Sequence, residues 1–160
     1  MWSYRTLTSP WGNEDTQQLI DILGKYNIKV TFFVVGEWVD KYPESVQALH
    51  KAGHEIMNHS NNHAHFNSLS SDEIVADINA CSDKIEAITG VRPTLFRPPY
   101  GEYDDHVITA VRSMGVEPIQ WDVEASETSE SRWGARDTQS SNKPTSLKNL
   151  TFLSIHSSVA

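Results

Sequence analysis

The sequence predicts an α/β fold in which parallel strands and helices alternate. The 160-residue chain shows no compositional break, which indicates one domain over residues 1–160. The run "IKVTFFVV" at Ile28–Val35 is almost continuously β-branched and aromatic, as in a parallel strand covered on both faces. Further strand-like runs each alternate with a helical pattern. This order favours right-handed crossovers, arranged either as a barrel or as a doubly wound sheet.

The elements of the first half follow from apolar spacing and terminal residues. A helix is predicted over Asn13–Tyr26, with Asn27 suited to a left-handed helix end. The strand Ile28–Val35 comes next, and a second helix over Pro43–Ala52 has proline at its first position. The segment "HEIMNHS", residues 54–60, predicts another strand.

The second half contains the best specified helix. "SSDE" supplies a capping box, and five apolar residues follow at helical spacing: Ile74, Ile78, Cys81, Ile85 and Ile88. A short strand "TLFRPP", a helix over Tyr103–Met114 and a strand "VEPIQWDV" are predicted next. Residues 124–149 are polar and aperiodic and predict a loop or disordered segment, before a last strand over Leu150–His156.

Composition excludes several classes of function. The net charge of -8 and the absence of Lys and Arg runs argue against a nucleic-acid partner. The single cysteine, Cys81, cannot form an internal disulfide. No run of eighteen apolar residues predicts a membrane span, and "MWSYRTLTSPWG" does not resemble a signal peptide.

Histidines are concentrated after the predicted strand at residues 54–60. His59 and His63 lie four apart, so one turn of chain can direct both imidazoles at one metal ion. The same spacing also fits two solvated or hydrogen-bonded histidines, and the pair alone does not decide between these readings. His54 and His65 are less suited as ligands, and we expect structural roles for both.

A second polar motif, "RPPYG" at Arg97–Gly101, also follows a predicted strand. Its prolines stiffen the turn, and the Arg97 guanidinium offers a rigid fork to a carboxylate. A generic turn is the alternative reading. Because active sites of parallel α/β folds gather at the carboxyl ends of strands, we expect this motif to lie near the two histidines.

Together with "KVTFFVVGEWV" and "GHEIMNHSNNH", these motifs make the chain resemble the polysaccharide deacetylases from about Pro10 to Val123. The resemblance implies a distorted (β/α) barrel with fewer than eight strands, incomplete at its ends. It also implies metal-dependent removal of acetyl groups from N-acetylated sugars of peptidoglycan, chitin or related oligomers. The metal, zinc or in its place cobalt, would be held by His59 and His63. Arg97 would orient a catalytic aspartate, and the backbone amide of Tyr100 would help to stabilise an oxyanion.

The chain departs from the family pattern at the first motif, "TFDDGP". Aligned on Pro10, the two family aspartates, one the base and one the third metal ligand, fall on Leu7 and Thr8. Neither side chain can act as a base or as a strong zinc ligand. Glu14 and Asp15 could substitute, although they suit a helix N-terminus better. The segment "WSYRTLTSP" also has too few apolar residues for a clear first strand.

The later motifs are altered as well. Glu127 could steady a catalytic histidine, and "FLSIHSS" could supply His156 as the general acid and Leu153 as part of an acetyl pocket. A histidine at the end of a terminal strand is the alternative for His156. A fragment, a misread terminus or a degenerate copy would each give a preserved middle with altered ends.

The sequence therefore predicts a polysaccharide N-deacetylase with impaired activity. The alternative is a non-catalytic carbohydrate-binding or metal-binding remnant of the same fold, and a third reading is a chain too incomplete to fold well. The family implies a cell-wall or extracellular setting, although no export signal is visible.

Overall fold

The computed structural model describes residues 4–8, 13–120, 123–125 and 152–155, and the side chains of residues 13–120. These parts of the chain form one seven-stranded sheet with helices packed against it. None of the described helices is long and apolar enough to cross a membrane.

The sheet has the order β5-β4-β3-β2-β1-β7-β6. Its strands are β1 (Tyr4–Thr8), β2 (Thr31–Val34), β3 (Glu55–Asn58), β4 (Leu95–Phe96), β5 (Glu117–Pro118), β6 (Val123–Ala125) and β7 (Phe152–Ile155). Strands β1 to β5 pair in parallel, as predicted. The remaining pairings, β1 with β7 and β7 with β6, are antiparallel, so the expectation of parallel strands throughout was wrong there.

Five α-helices surround the described parallel strands. They are α1 (Thr16–Lys25), α2 (Gly36–Lys41), α3 (Pro43–Lys51), α4 (Ser71–Thr89) and α5 (Asp105–Ser113). Four of them confirm predicted helices. Helix α2 was not predicted, because six residues are too few to show a periodic pattern and its N-cap, Val35, makes no side-chain capping bond.

Helix α4 connects two apolar clusters and forms the base of the site described below. Cys81 and Ile85 pack with β2 and α3, whereas Ile74 and Ile78 pack with Phe96 and α5. The predicted capping box at its start is present, and Gly90 ends the helix at φ 75°. Each of these four apolar α4 side chains is fully buried, so the helix is a fixed support for the neighbouring strand ends.

Two strand predictions need correction. The doubtful first strand is present as β1, whose Thr6, Leu7 and Thr8 pair with β2. Its Tyr and Thr residues favour extended backbone without an apolar run. The single strand predicted for "VEPIQWDV" is instead β5 and β6, which are separate; Pro118 cannot donate a ladder hydrogen bond.

The chain's last predicted elements are described only in part. Strand β7 confirms the strand expected within residues 150–156, and residues 124 and 125 of the predicted loop lie in β6. Glu127 and His156 lie outside the described residues, and Leu153 is described only as backbone of β7.

Candidate metal centre

The two polar motifs follow neighbouring parallel strands and meet at one edge of the sheet. The His59 amide donates to the Val34 carbonyl at 3.0 Å, and the Arg97 amide donates to the Asn58 carbonyl at 2.9 Å. These bonds extend the β2–β3 and β3–β4 pairings beyond the ends of the strands. The motifs are therefore adjacent where the sequence predicted a site.

The backbone of Leu7 and Thr8 ends β1 at the same edge. Thr8 pairs with Phe33, and Val34 of the same strand pairs with Asn58, the residue before His59. The two positions on which the sequence analysis places the aspartates of the family motif therefore lie at the same end of the sheet as the histidine turn.

Asn58 holds the turn at residues 58–63, here called the histidine turn, against α4. Its side chain is fully buried, and its amide nitrogen donates to the Ile78 carbonyl at 2.8 Å and to Ser82 Oγ at 2.9 Å. Its oxygen accepts the Ser60 amide at 2.8 Å. Every polar atom of the Asn58 side chain is thus used to fix the start of the turn.

The turn is tightly folded and lies close to α2. Ser60 and His63 both have left-handed backbone, with φ 73° and 57°. The Gly36 amide donates to the Ser60 carbonyl at 2.9 Å, and a Cβ on Gly36 would lie 3.0 Å from the Asn61 Cα and collide with the Asn61 side chain. Glycine is required at position 36 for this approach.

His59 is prepared to bind a metal through one defined nitrogen. It is buried, and its Nδ1 lies 2.8 Å from the Arg97 carbonyl oxygen, which can only accept. Nδ1 therefore carries the hydrogen, and the Nε2 lone pair is left for a ligand. Burial lowers the pKa of His59 to about 4, so the ring is neutral at neutral pH.

His63 lies beside His59 in the same turn. The two ring centroids are 5.0 Å apart with planes at 76°, and burial lowers the pKa of His63 too. Neutral imidazoles are common zinc ligands. The chemistry and proximity of this pair fit two protein ligands of one metal ion.

A third protein ligand is not found among the described side chains. Within residues 13–120, no group of three His, Cys, Asp or Glu side chains could hold a metal ion. Glu14 and Asp15 are thus not grouped with the histidine pair. Within residues 13–120, the pair supplies two ligands for a metal and no third is grouped with them.

Arg97 and Tyr100 complete the described part of the site. The Arg97 side chain is 1% exposed, with its guanidinium carbon 4.4 Å from the centre of the Phe33 ring. Burial lowers the pKa of Arg97 to about 10, which leaves it charged at neutral pH. Tyr100 has left-handed backbone at φ 56°, and its exposed ring lies edge-on to His63 at 4.6 Å.

The other two histidines of the cluster have different surroundings. His65 stacks on Tyr100 at 4.2 Å between ring centroids, and its Nδ1 lies 2.8 Å from Glu102 Oε1. His54 is buried, and its Nδ1 accepts the Val30 amide at 3.3 Å. Sequence reasoning missed the aromatic link from His65 through Tyr100 to His63, because no spacing rule relates residues from two loops.

Residues 6–119 match the family model described as polysaccharide deacetylase. The chain belongs to the polysaccharide deacetylase family. Among its relatives are chitin deacetylase 1 of Cryptococcus neoformans, 42% identical over 106 residues, and peptidoglycan-N-acetylmuramic acid deacetylase PdaC of Bacillus subtilis, 42% identical over 109 residues. These matches cover 66% and 68% of this deacetylase-family chain and 23% of each relative. The chain thus spans about a quarter of the length of each of these two relatives.

Solved structures support the same assignment. A pseudoenzyme of carbohydrate esterase family 4 (CE4) from Bacillus anthracis is 32% identical to this chain. Its TM-score is 0.69, over 74% of this chain and 46% of that one. A mutant pseudoenzyme of that family, described as having restored enzymatic activity, gives a TM-score of 0.70 at 33% identity, over 74% of this chain and 47% of that one. These similarities confirm the predicted family and its α/β class, a distorted (β/α) barrel.

The neutral state of His54 predicts a pH dependence of stability. Burial lowers the pKa of His54 from its usual 6.5, because protonation would charge a buried ring and remove the acceptor for Val30. The contribution of neutral His54 to the free energy of unfolding is therefore complete above pH 6.5 and is lost as the pH falls below that value. We expect His54→Asn, whose oxygen can replace Nδ1, to show a smaller loss of unfolding free energy between pH 7 and 5 in urea titrations.

His50→Asn is the matched control, since His50 is a partly exposed residue of α3. Its loss of unfolding free energy between pH 7 and 5 should exceed that of His54→Asn. If the unfolding free energy falls equally between pH 7 and 5 in wild type and in His54→Asn, His54 does not cause the pH dependence.

Proposed function

We propose that this chain binds a divalent metal ion, either zinc or cobalt, through His59 and His63. With the metal bound, it slowly removes acetyl groups from N-acetylated sugars of a polysaccharide. One observation carries the proposal: two neutral imidazoles lie side by side next to a buried arginine at the carboxyl edge of the sheet. The resemblance of the two motifs that carry these residues to those of the deacetylase family implies a catalytic centre at this position.

Each described residue has a distinct part in this proposal. A bound metal would polarise the acetamide carbonyl and activate water. The buried guanidinium of Arg97 places a positive charge beside the two histidines. The Tyr100 amide is proposed to donate to the developing oxyanion. Glu127, His156 and Leu153 keep their predicted parts: steadying a catalytic histidine, protonating the leaving amine, and lining the acetyl pocket.

The substrate class follows from the relatives. They are named for chitin and for peptidoglycan, so the proposed substrate is a polymer or oligomer containing N-acetylated sugars. Such polymers are extracellular or part of a cell wall, and we propose the same setting for this chain.

A second candidate is a non-catalytic domain that binds the sugar polymer or the metal. Leu7 and Thr8 favour it, because they provide no base and no third ligand. The similarity to a solved pseudoenzyme also favours it. The two candidates share the fold and the residues of the site and differ in turnover.

Acetate release separates them. The chain is incubated with N-acetylglucosamine oligomers and saturating zinc or cobalt, alongside His63→Ala and the control His50→Ala. We expect slow metal-dependent release by wild type and His50→Ala, and none above background by His63→Ala. Oligomer binding in calorimetry without any acetate from wild type would instead establish the non-catalytic candidate.

A further inference from the structure

We propose that Asp77 of α4 is a positioning residue that sets the geometry of the histidine turn and thereby the affinity of its two metal ligands. This inference rests on the proposed metal site, because its consequence is read at His59 and His63. Asp77 lies eighteen and fourteen positions after these histidines in the sequence and belongs to none of the motifs described above.

Three hydrogen-bond donors of the histidine turn converge on the Asp77 carboxylate. Oδ1 accepts the Asn61 amide at 2.9 Å. Burial raises the pKa of the same carboxylate, and hydrogen bonding with the Ser60 side chain and the Asn62 backbone lowers it against that rise. Because all three are donors, the acceptor has to offer lone pairs only, which a carboxylate does and an amide side chain does not.

The Ser60 hydroxyl transmits this anchoring to His63. Ser60 is fully buried, and its Oγ accepts the His63 amide at 2.7 Å, which leaves the hydroxyl hydrogen for the neighbouring Asp77 carboxylate. An acceptor at Asp77 therefore fixes the orientation of the hydroxyl. The bond helps to hold His63 in its left-handed backbone conformation at φ 57°, which non-glycine residues adopt infrequently.

The surroundings make Asp77 a fixed anchor. It is half-buried on α4 directly before the fully buried Ile78, whose carbonyl accepts from Asn58. Lys84, on the same helix, donates to the Asn61 side chain at 2.7 Å. Outer-shell partners that orient metal ligands typically contribute 10–100-fold to metal affinity. Asp77 acts in this way through the backbone of the turn.

The test compares Asp77→Asn with Asp83→Asn, an exposed carboxylate of the same helix that pairs with Arg92. Amide hydrogen exchange is measured on the metal-free full chain, and zinc affinity by competition with a chromophoric chelator. In Asp77→Asn we expect the Asn61, Asn62 and His63 amides to exchange at least about 10-fold faster and zinc to bind about 10–100-fold more weakly. Asp83→Asn should match wild type in both, and Asp77→Glu should recover part of each.

Unchanged exchange at these three amides in Asp77→Asn would overturn the proposal. Faster exchange with unchanged zinc affinity would also overturn it, because the turn would then move without affecting its ligands. If Asp77→Asn does not fold, Asp77→Glu decides: the displaced carboxylate should accelerate exchange of the Asn61 amide, and unchanged exchange there would overturn the proposal. Should wild type bind no zinc, the proposed metal site fails, while metal-free exchange still reports whether Asp77 holds the turn.

Discussion

Replacing Leu7 and Thr8 together by aspartate is expected to raise metal-dependent acetate release from N-acetylglucosamine oligomers by at least about 100-fold. Both positions lie at the end of β1, at the same edge of the sheet as the histidine turn. One carboxylate would complete the metal ligands and the other would serve as the base. Initial rates of acetate release at saturating zinc or cobalt measure the effect.

The matched control is the double asparagine variant at positions 7 and 8. It has nearly the same shape as the aspartate variant but cannot act as a base at neutral pH, so it should stay near the wild-type rate. A folded aspartate variant that is no faster than this control would contradict the assignment of these positions to the site.

Removing one imidazole is expected to have a comparably large effect on metal binding. His63→Ala should weaken zinc by at least about 100-fold, because loss of a direct ligand exceeds the 10–100-fold typical of outer-shell changes. His63 is half-buried, so its removal should disturb the core little. Competition with a chromophoric chelator gives the two dissociation constants.

His50→Ala is again the control, because His50 lies on α3 outside the histidine turn and its loss should leave zinc affinity unchanged. Equal zinc affinity in wild type and His63→Ala would exclude His63 as a ligand.

A second ligand variant, His59→Ala, would also lose the buried hydrogen bond to the Arg97 carbonyl, so its unfolding free energy should be measured together with its zinc affinity.

Much of this architecture could be predicted because its causes are local. The capping box of Ser70 and Glu73 and the apolar spacing of α4 lie within one segment, and the structure has both. The apolar run of β2 and the turn after it are likewise visible in consecutive residues. The proximity of His59 and Arg97 followed from the general rule that parallel strands present their carboxyl ends at one edge.

The remaining features depend on contacts between distant segments. No local pattern distinguishes Asp77 from other acidic residues of α4, since its partners lie in the turn that precedes the helix. The same holds for Tyr100, whose ring meets two histidines from another loop. Strand β1 was underestimated for a related reason: it is stabilised by pairing with β2 and β7, whereas its own sequence is only weakly apolar.

The most direct test of the account is the identity of the atoms that hold zinc in the full chain. Zinc-edge anomalous diffraction from crystals soaked in zinc would locate the ion. The account predicts a site bound by both imidazoles, with His59 coordinating through Nε2 at about 2.0–2.1 Å while its Nδ1 stays on the Arg97 carbonyl. Zinc bound elsewhere, or absent from His59 and His63 under saturating conditions, would contradict it.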